Sequence, residues 1–136
     1  MQSQLFPSAR NLFLTGQLDW TSGTWKAVLL PHSYTPTFAE EFLEDIPVAQ
    51  RVAISEEIDG KTAVGGAAGC SAIELGLLLS PTICSKLVVY KDTGDEATSP
   101  VVLFVGDEGL TNEPFALLGF EYFVYPNATI GGLFRL

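Results

Sequence analysis

Two short runs of β-branched and aromatic residues, Lys86–Lys91 (KLVVYK) and Val101–Val105 (VVLFV), flank Asp92-Thr93-Gly94-Asp95-Glu96. Such side chains fit a pleated, half-buried surface, whereas Asp and Gly tolerate the left-handed backbone of a tight turn. The spacing predicts a β-hairpin. Further runs of the same kind occur on both sides of it. Thr24–Leu30 (TWKAVLL) alternates in part, with Trp25, Ala27 and Leu29 on one face, and Pro31 stops it. Gln50–Ile54 (QRVAI) alternates, followed by an acidic turn, Glu56–Gly60. Cys70–Leu79 is an apolar run too short and too broken by glycine for a long helix, so a buried strand is expected. Gly119–Tyr125 (GFEYFVY) alternates, Pro126-Asn127 turns the chain, and Thr129–Leu136 is a candidate final strand.

Helical signals are sparse. Charged residues make up only 17% of the chain, which argues against long solvent-facing helices. In Thr37-Phe38-Ala39-Glu40 the Thr37 hydroxyl can accept from the amide three residues on while Glu40 reaches back, the pattern of a capping box. With Phe38, Phe42 and Leu43 on one face and Pro47 as terminator, a short helix is expected over Phe38–Asp45. Ala9–Leu18 is ambiguous, readable as one or two helical turns ended by Gly16. A length of 136 residues fits one domain, and no repeat or linker marks a second. Residues 1–8 read as an N-terminal arm and 9–136 as a single β-rich domain. The fold class expected is mainly β, a sandwich or barrel-like domain of six to seven strands with one short helix.

Sixteen acids against seven bases give a formal charge of −9, the wrong sign for holding nucleic acid by its phosphates. The first ten residues lack a basic region followed by an apolar one, so no secretory leader is expected, and the Asn127-Ala128-Thr129 sequon is then a chance match. Ala63–Ser85 is long enough to span a bilayer, but Glu74 would sit near its middle at roughly 2.5–3.5 kcal/mol. Pro81 also breaks the run and no basic cluster flanks it, so no membrane association is expected.

Residues that could carry chemistry are few. Gly60-Lys61-Thr62 ends like a phosphate loop, but Ser55 stands where the first glycine belongs, and Glu56, Glu57 and Asp59 would repel a phosphate. The single histidine, His32, falls in a predicted loop with no nucleophile or orienting acid selected by spacing, so it reads as solvent-facing. Cys70 and Cys84 lack the spacing of a metal knuckle and read as buried thiols ahead of a disulfide. The acidic pairs Glu40/Glu41, Glu44/Asp45, Glu56/Glu57 and Asp107/Glu108 read as solvated surface, and Asp92–Glu96 fits a calcium loop only in part. No catalytic residue, cofactor or metal is therefore expected. Aromatic residues crowd the last quarter of the chain. Phe120 and Tyr122 would lie opposite Phe123 and Tyr125 on a strand with two apolar faces. Such a strand packs in the interior or meets a partner. Leu5 and Phe6 in the arm, with Phe123, Tyr125, Phe134 and Leu136, are the candidate partner contacts.

Arg10-Asn11-Leu12-Phe13-Leu14-Thr15-Gly16-Gln17-Leu18-Asp19-Trp20, the strand Trp25–Leu30, Tyr34-Thr35, Phe42-Leu43-Glu44-Asp45-Ile46-Pro47, Arg51-Val52, Gly60-Lys61-Thr62 and Leu87–Gly94 stand in a recognisable order. This series, covering roughly residues 10–105, resembles a family of small structural proteins of tailed bacteriophages. The last third departs from that pattern, being richer in aromatics and glycine. The landmarks concern the fold, so the resemblance implies no active site. It implies a non-enzymatic virion protein, foremost a capsid cement or decoration protein that binds the outer shell and bridges neighbouring major capsid subunits. It would self-associate as a dimer or trimer, assemble in the host cytoplasm and reside on the capsid exterior. A head–tail connector or tail component is the alternative, and a small host enzyme or ligand-binding domain a third.

Overall fold

The computed structural model describes residues 4–106, 115–124 and 134–135, with backbone alone for 76–82, 115–124 and 135. The chain begins with a short strand, β1 (Gln4–Leu5), and a helix, α1 (Pro7–Leu14). Pro7 suits the first helical turn, because its ring presets φ and its missing N–H has no partner to lose there. At the other end Gly16 takes φ +74°. The Gln17 and Gly16 amides then donate back to the Leu12 and Phe13 carbonyls at 2.8 and 3.2 Å, closing the helix. The ambiguous segment thus contains two helical turns, starting earlier than expected.

Then follow β2 (Thr24–Pro31), β3 (Ala53–Ile54), β4 (Thr62–Val64), β5 (Ala67–Gly69) and β6 (Ile73–Asp92). The described residues end with β7 (Val101–Val105), β8 (Phe115–Val124) and β9 (Phe134–Arg135). A six-stranded sheet has the order β1-β7-β6-β2-β3, with β8 also paired to β6, and β4-β5-β9 form a three-stranded sheet. All pairings among the described residues are antiparallel. The mainly β class is as expected. Both sheets are open, so the barrel-like variant is not realised. Nine strands stand among the described residues because β1, β4 and β5 are too short to leave an alternating pattern.

The expected hairpin is present, with β6 and β7 joined by the turn around Gly94, which has φ +86°. The two strands expected at Cys70–Leu79 and Lys86–Lys91 are one strand, β6, of 20 residues. It survives Pro81 by irregularity: the pairing with β8 shifts register at Glu74/Gly76, Leu77/Leu79 and Ser80/Ile83. Each shift bends the strand. The total bend follows from connectivity. Val89 pairs with Ala27, Ser55 donates its amide to the Ala27 carbonyl, and Glu56 donates to the Glu74 carbonyl. Three strand spacings and one residue place Glu74 within about 20 Å of Val89, where a straight strand would separate them by about 50 Å. The sheet therefore rolls, with β6 following the curve.

The helix expected over Phe38–Asp45 is not formed; only a 3-10 turn, Leu43–Asp45, occurs there. The hydrogen bonds that suggested it exist in part. The Thr37 amide donates to Glu40 Oε1 at 3.0 Å, and the Ala39 amide donates to the Thr37 hydroxyl at 3.2 Å. Phe38, however, has φ +63°. A left-handed non-glycine residue costs about 1–2 kcal/mol. Its ring gains contacts with Phe6 and Phe104, centroids 5.5 and 5.9 Å away. Two such pairs contribute about 0.5–1.5 kcal/mol each, a sum comparable with the strain before the burial of the ring is counted.

The core gathers Trp25, Val28, Leu29, Leu30, Leu87, Val88 and Phe104, all essentially inaccessible. Trp20 joins the two sheets, its ring 4.8 Å from Trp25 and 5.4 Å from Phe134. The Trp20 indole N–H donates to the Gly69 carbonyl at 3.1 Å, which anchors β5. Gln50–Ile54 is shorter as a strand than expected, because Val48–Gln50 turns as 3-10 helix. Of the expected final strand, 129–133 and Leu136 lie outside the described residues. The apolar stretch Ala63–Ser85 is strand and turn, and no helix among the described residues is long and apolar enough to cross a membrane.

Candidate functional site

Between β2 and β3 the chain makes a long excursion, 32–52, that passes beside the start of β7. The Leu43 amide donates to the Ser99 carbonyl at 2.8 Å and the Val101 amide to the Glu41 carbonyl at 3.1 Å. Arg51 holds the return path. Its side chain donates to the Ile46 carbonyl through Nε and Nη2 at 3.0 and 2.8 Å, and to the Leu43 carbonyl at 2.9 Å. Lys86 holds the outward path. It projects from β6, is buried, and donates to the His32 and Tyr34 carbonyls at 2.6 and 2.7 Å.

Between these two clamps lies a cavity of about 550 Å³, lined by Tyr34, Thr35, Thr37, Ala39, Glu40, Glu41, Asp45 and Pro47. Three of its lining residues are acids and none is basic. Glu40 is the deepest of the acids at 7% exposure. Its Oε1 accepts the Thr37 amide at 3.0 Å and the Tyr34 hydroxyl at 3.3 Å. Its Oε2 is buried with no hydrogen-bond partner among the described residues. Most buried polar atoms have a partner, so such an oxygen calls for an account. Burial, and then the Glu40 charge, push the Tyr34 phenol up to about 12. It remains a neutral donor at physiological pH. The Phe42 amide, and next the Glu41 amide, hold the Asp45 carboxyl below its ordinary value; both donate to Asp45 Oδ2, at 3.0 and 2.9 Å. Asp45 is thus a fixed negative charge at the cavity rim. A second cavity of about 240 Å³, lined by Ser8, Asn11, Leu12, Glu41 and Phe42, shares Glu41 with the first.

Other expected features fall elsewhere. His32 is exposed, and its Nδ1 lies 2.8 Å from the hydroxyl of Ser85, which is fully buried. A nucleophile at that hydroxyl would not meet a substrate, so the pair fastens the turn to β6. Gly60, with φ +63°, forms a turn between β3 and β4, and Lys61 donates to the Gly23 and Ile58 carbonyls. Cys84 is a buried thiol and Cys70 a half-buried one. No group of three His, Cys, Asp or Glu among the described residues could hold a metal ion.

The partner-contact candidates divide. Leu5 and Phe6 of the expected arm, and Phe134 near the C-terminus, are buried in the chain's own core at 5%, 0% and 5% exposure. Leu5 pairs with Leu103 and Phe6 donates its amide to the Val102 carbonyl, so this segment closes the β7 edge. Phe123 lies on β8 opposite Glu74. Tyr125 and Leu136 lie outside the described residues. Among the described residues, the large aliphatic groups that face solvent are Leu14, Val48, Ile54, Val64 and Ile83. None stood out in the sequence: Leu14, Val48, Ile54 and Val64 stand at the ends of short elements, and Ile83 lies within β6 beside a register shift. Glu40 was visible as one of two adjacent acids, but its burial depends on Tyr34 and the backward turn at Phe38.

No family model, curated protein or solved structure matches the chain.

Proposed function

We propose that the chain is a non-enzymatic structural protein of a tailed-phage virion, a cement that binds the capsid exterior and bridges major capsid subunits. The observation that carries this reading is the exposure of three large aliphatic side chains on three separate elements. Leu14 at the end of α1 is 84% exposed, Val64 at the tip of the β4–β5 hairpin 76%, and Val48 in the turn before β3 72%. Apolar groups exposed singly are ordinary on a monomer, but placed on three elements they also offer separate contact points for more than one neighbour, whereas a small-molecule site gathers them in one concavity. The charge of −9 suits a basic partner surface, and association steered by opposite charge is fast and salt-sensitive. The ordered landmarks from Arg10 to Val105 support the virion assignment by resemblance.

Quantitative mass spectrometry on purified virions tests it. A simple integer ratio to the major capsid protein is expected. A few copies per particle would move the chain to the neck or tail, and absence from the particle would overturn the reading.

A further inference from the structure

We propose that the acidic cavity between Tyr34 and Pro47 is a receptor for one arginine side chain of a partner protein. The cavity wall carries Glu40, Glu41 and Asp45 and no base; three carboxylates outnumber the Lys86 ammonium held behind Tyr34, so the potential favours a cation. Acidic clusters on a surface are ordinarily just solvated, but Glu40 is not on the surface. It is buried, it lines the cavity, and one of its two oxygens has no donor among the described residues. That oxygen is shielded where it stands, so an entering donor reaches it only after a modest turn of the carboxyl about its broad terminal torsion. The neutral Tyr34 phenol and the Thr37 amide already serve the other oxygen, leaving one acceptor position for an incoming group.

The chemistry selects a guanidinium. A divalent ion needs several oxygen ligands converging on one point, and no such group of acids exists among the described residues. An ammonium is compact and strongly hydrated, and a space of about 550 Å³ is large for it. A guanidinium has five N–H donors, sheds water more readily, and can bridge Glu40 and a rim carboxylate at once. Pro47 on the wall, with the exposed Val48 next to it, offers apolar surface to the arginine stem. The site would serve whatever assembly the chain belongs to.

The probe is arginine blocked at both ends, N-acetyl-arginine methylamide, titrated into the full 15N-labelled chain and followed by amide chemical shifts. Saturable changes at Thr37, Ala39 and Glu41 are expected, with a Kd of about 1 mM, an ordinary affinity for a ligand this small. Glu40→Gln keeps an acceptor for Thr37 and Tyr34 but removes the charge, and should weaken binding about tenfold or more. If its spectrum shows that this variant unfolds, Glu41→Gln with Asp45→Asn provides the second reading, with weakening of several-fold expected. Equal binding of the lysine analogue would overturn the choice of guanidinium. Equal competition by magnesium or calcium would make the site a general cation trap. Non-saturable shifts, or affinity unchanged by the charge-removing variants, would overturn the receptor altogether.

Discussion

Removing the Arg51 side chain should cost far more than removing its ionic partner. Arg51 forms a 2.6 Å ion pair with Glu96, the feature a survey of salt bridges would single out. The Glu96 side chain is 54% exposed, however, and pairs with an exposed member contribute less than about 1 kcal/mol. The other face of the guanidinium does different work. With 7% exposure it donates to the carbonyls of Leu43 and Ile46, both buried residues, and no water can replace it there. Hydrogen bonds from a charged donor contribute about 1.5–3 kcal/mol each, and orphaning their acceptors incurs the desolvation cost in full. Because the bonds share one group they do not add, so Arg51→Ala should destabilise by about 3–4 kcal/mol. Arg51→Lys restores a single point donor without the fork and should still lose about 2 kcal/mol. Glu96→Gln should lose under 1 kcal/mol. With a urea slope of about 2 kcal/mol/M, the midpoints should fall by about 1.5–2 M, 1 M and less than 0.5 M respectively. Chemical denaturation followed by tryptophan fluorescence reads all three. If Glu96→Gln proves as damaging as Arg51→Ala, the ion pair rather than the carbonyl clamp holds the excursion, and the reasoning fails.

The same logic applies to Lys86, where Lys86→Met keeps the stem but strands the His32 and Tyr34 carbonyls; a loss of about 2–3 kcal/mol in thermal melts is expected. Asp45 has a folded-state pKa below its ordinary 3.8, so its contribution is present above that value and vanishes as pH falls through the lower folded value. The stability gap between the parent and Asp45→Asn should therefore be full at pH 6 and close on acidification below about pH 4; a gap independent of pH would contradict it. Burial pushes the Cys84 thiol up to about 11, and burial, offset in part by Lys61, does the same for Cys70. Ellman's reagent at pH 8 should react slowly with the native chain and quickly with two thiols after unfolding in guanidinium. A rapid reaction of both in the native state would place them at the surface.

Much of the sheet was legible because β2 and β7 consist of residues whose local preference and final environment agree. The turn at Gly94 was legible for the same reason. What escaped was decided by distant partners. Phe38 follows a good capping residue, but its ring is claimed by Phe6 and Phe104, which no local window contains. β6 looked like two strands because Gly76 and Pro81 are ordinary breakers; it stays continuous because irregular pairing with β8 absorbs them. Leu5 and Phe6 sat in a polar stretch that suggested a loose arm, and only the edge of β7 explains their burial. For the cavity, the acids were visible, but the fact that sets Glu40 apart, an oxygen buried without a donor, belongs to three-dimensional packing alone.

The central place of β6 carries a consequence for how fast the chain acquires its shape. Val88 meets Phe104 through a nearby turn, a closure of the kind completed in microseconds. On its other side Val88 meets Val28, sixty positions away in the chain, and Gln4 must find Phe104 across a hundred. Sheets dominated by such distant pairings form in milliseconds to seconds. The hairpin of β6 and β7 should thus exist first, with the apolar side chains of Leu87–Val89 and Val101–Val105 bare until β2 arrives. In stopped-flow refolding of a Trp20→Phe variant, the fluorescence of Trp25 reports that arrival, and it should lag behind the far-ultraviolet signal of the hairpin. Crowded or warm conditions would then lose protein to aggregation during this interval rather than from the finished fold.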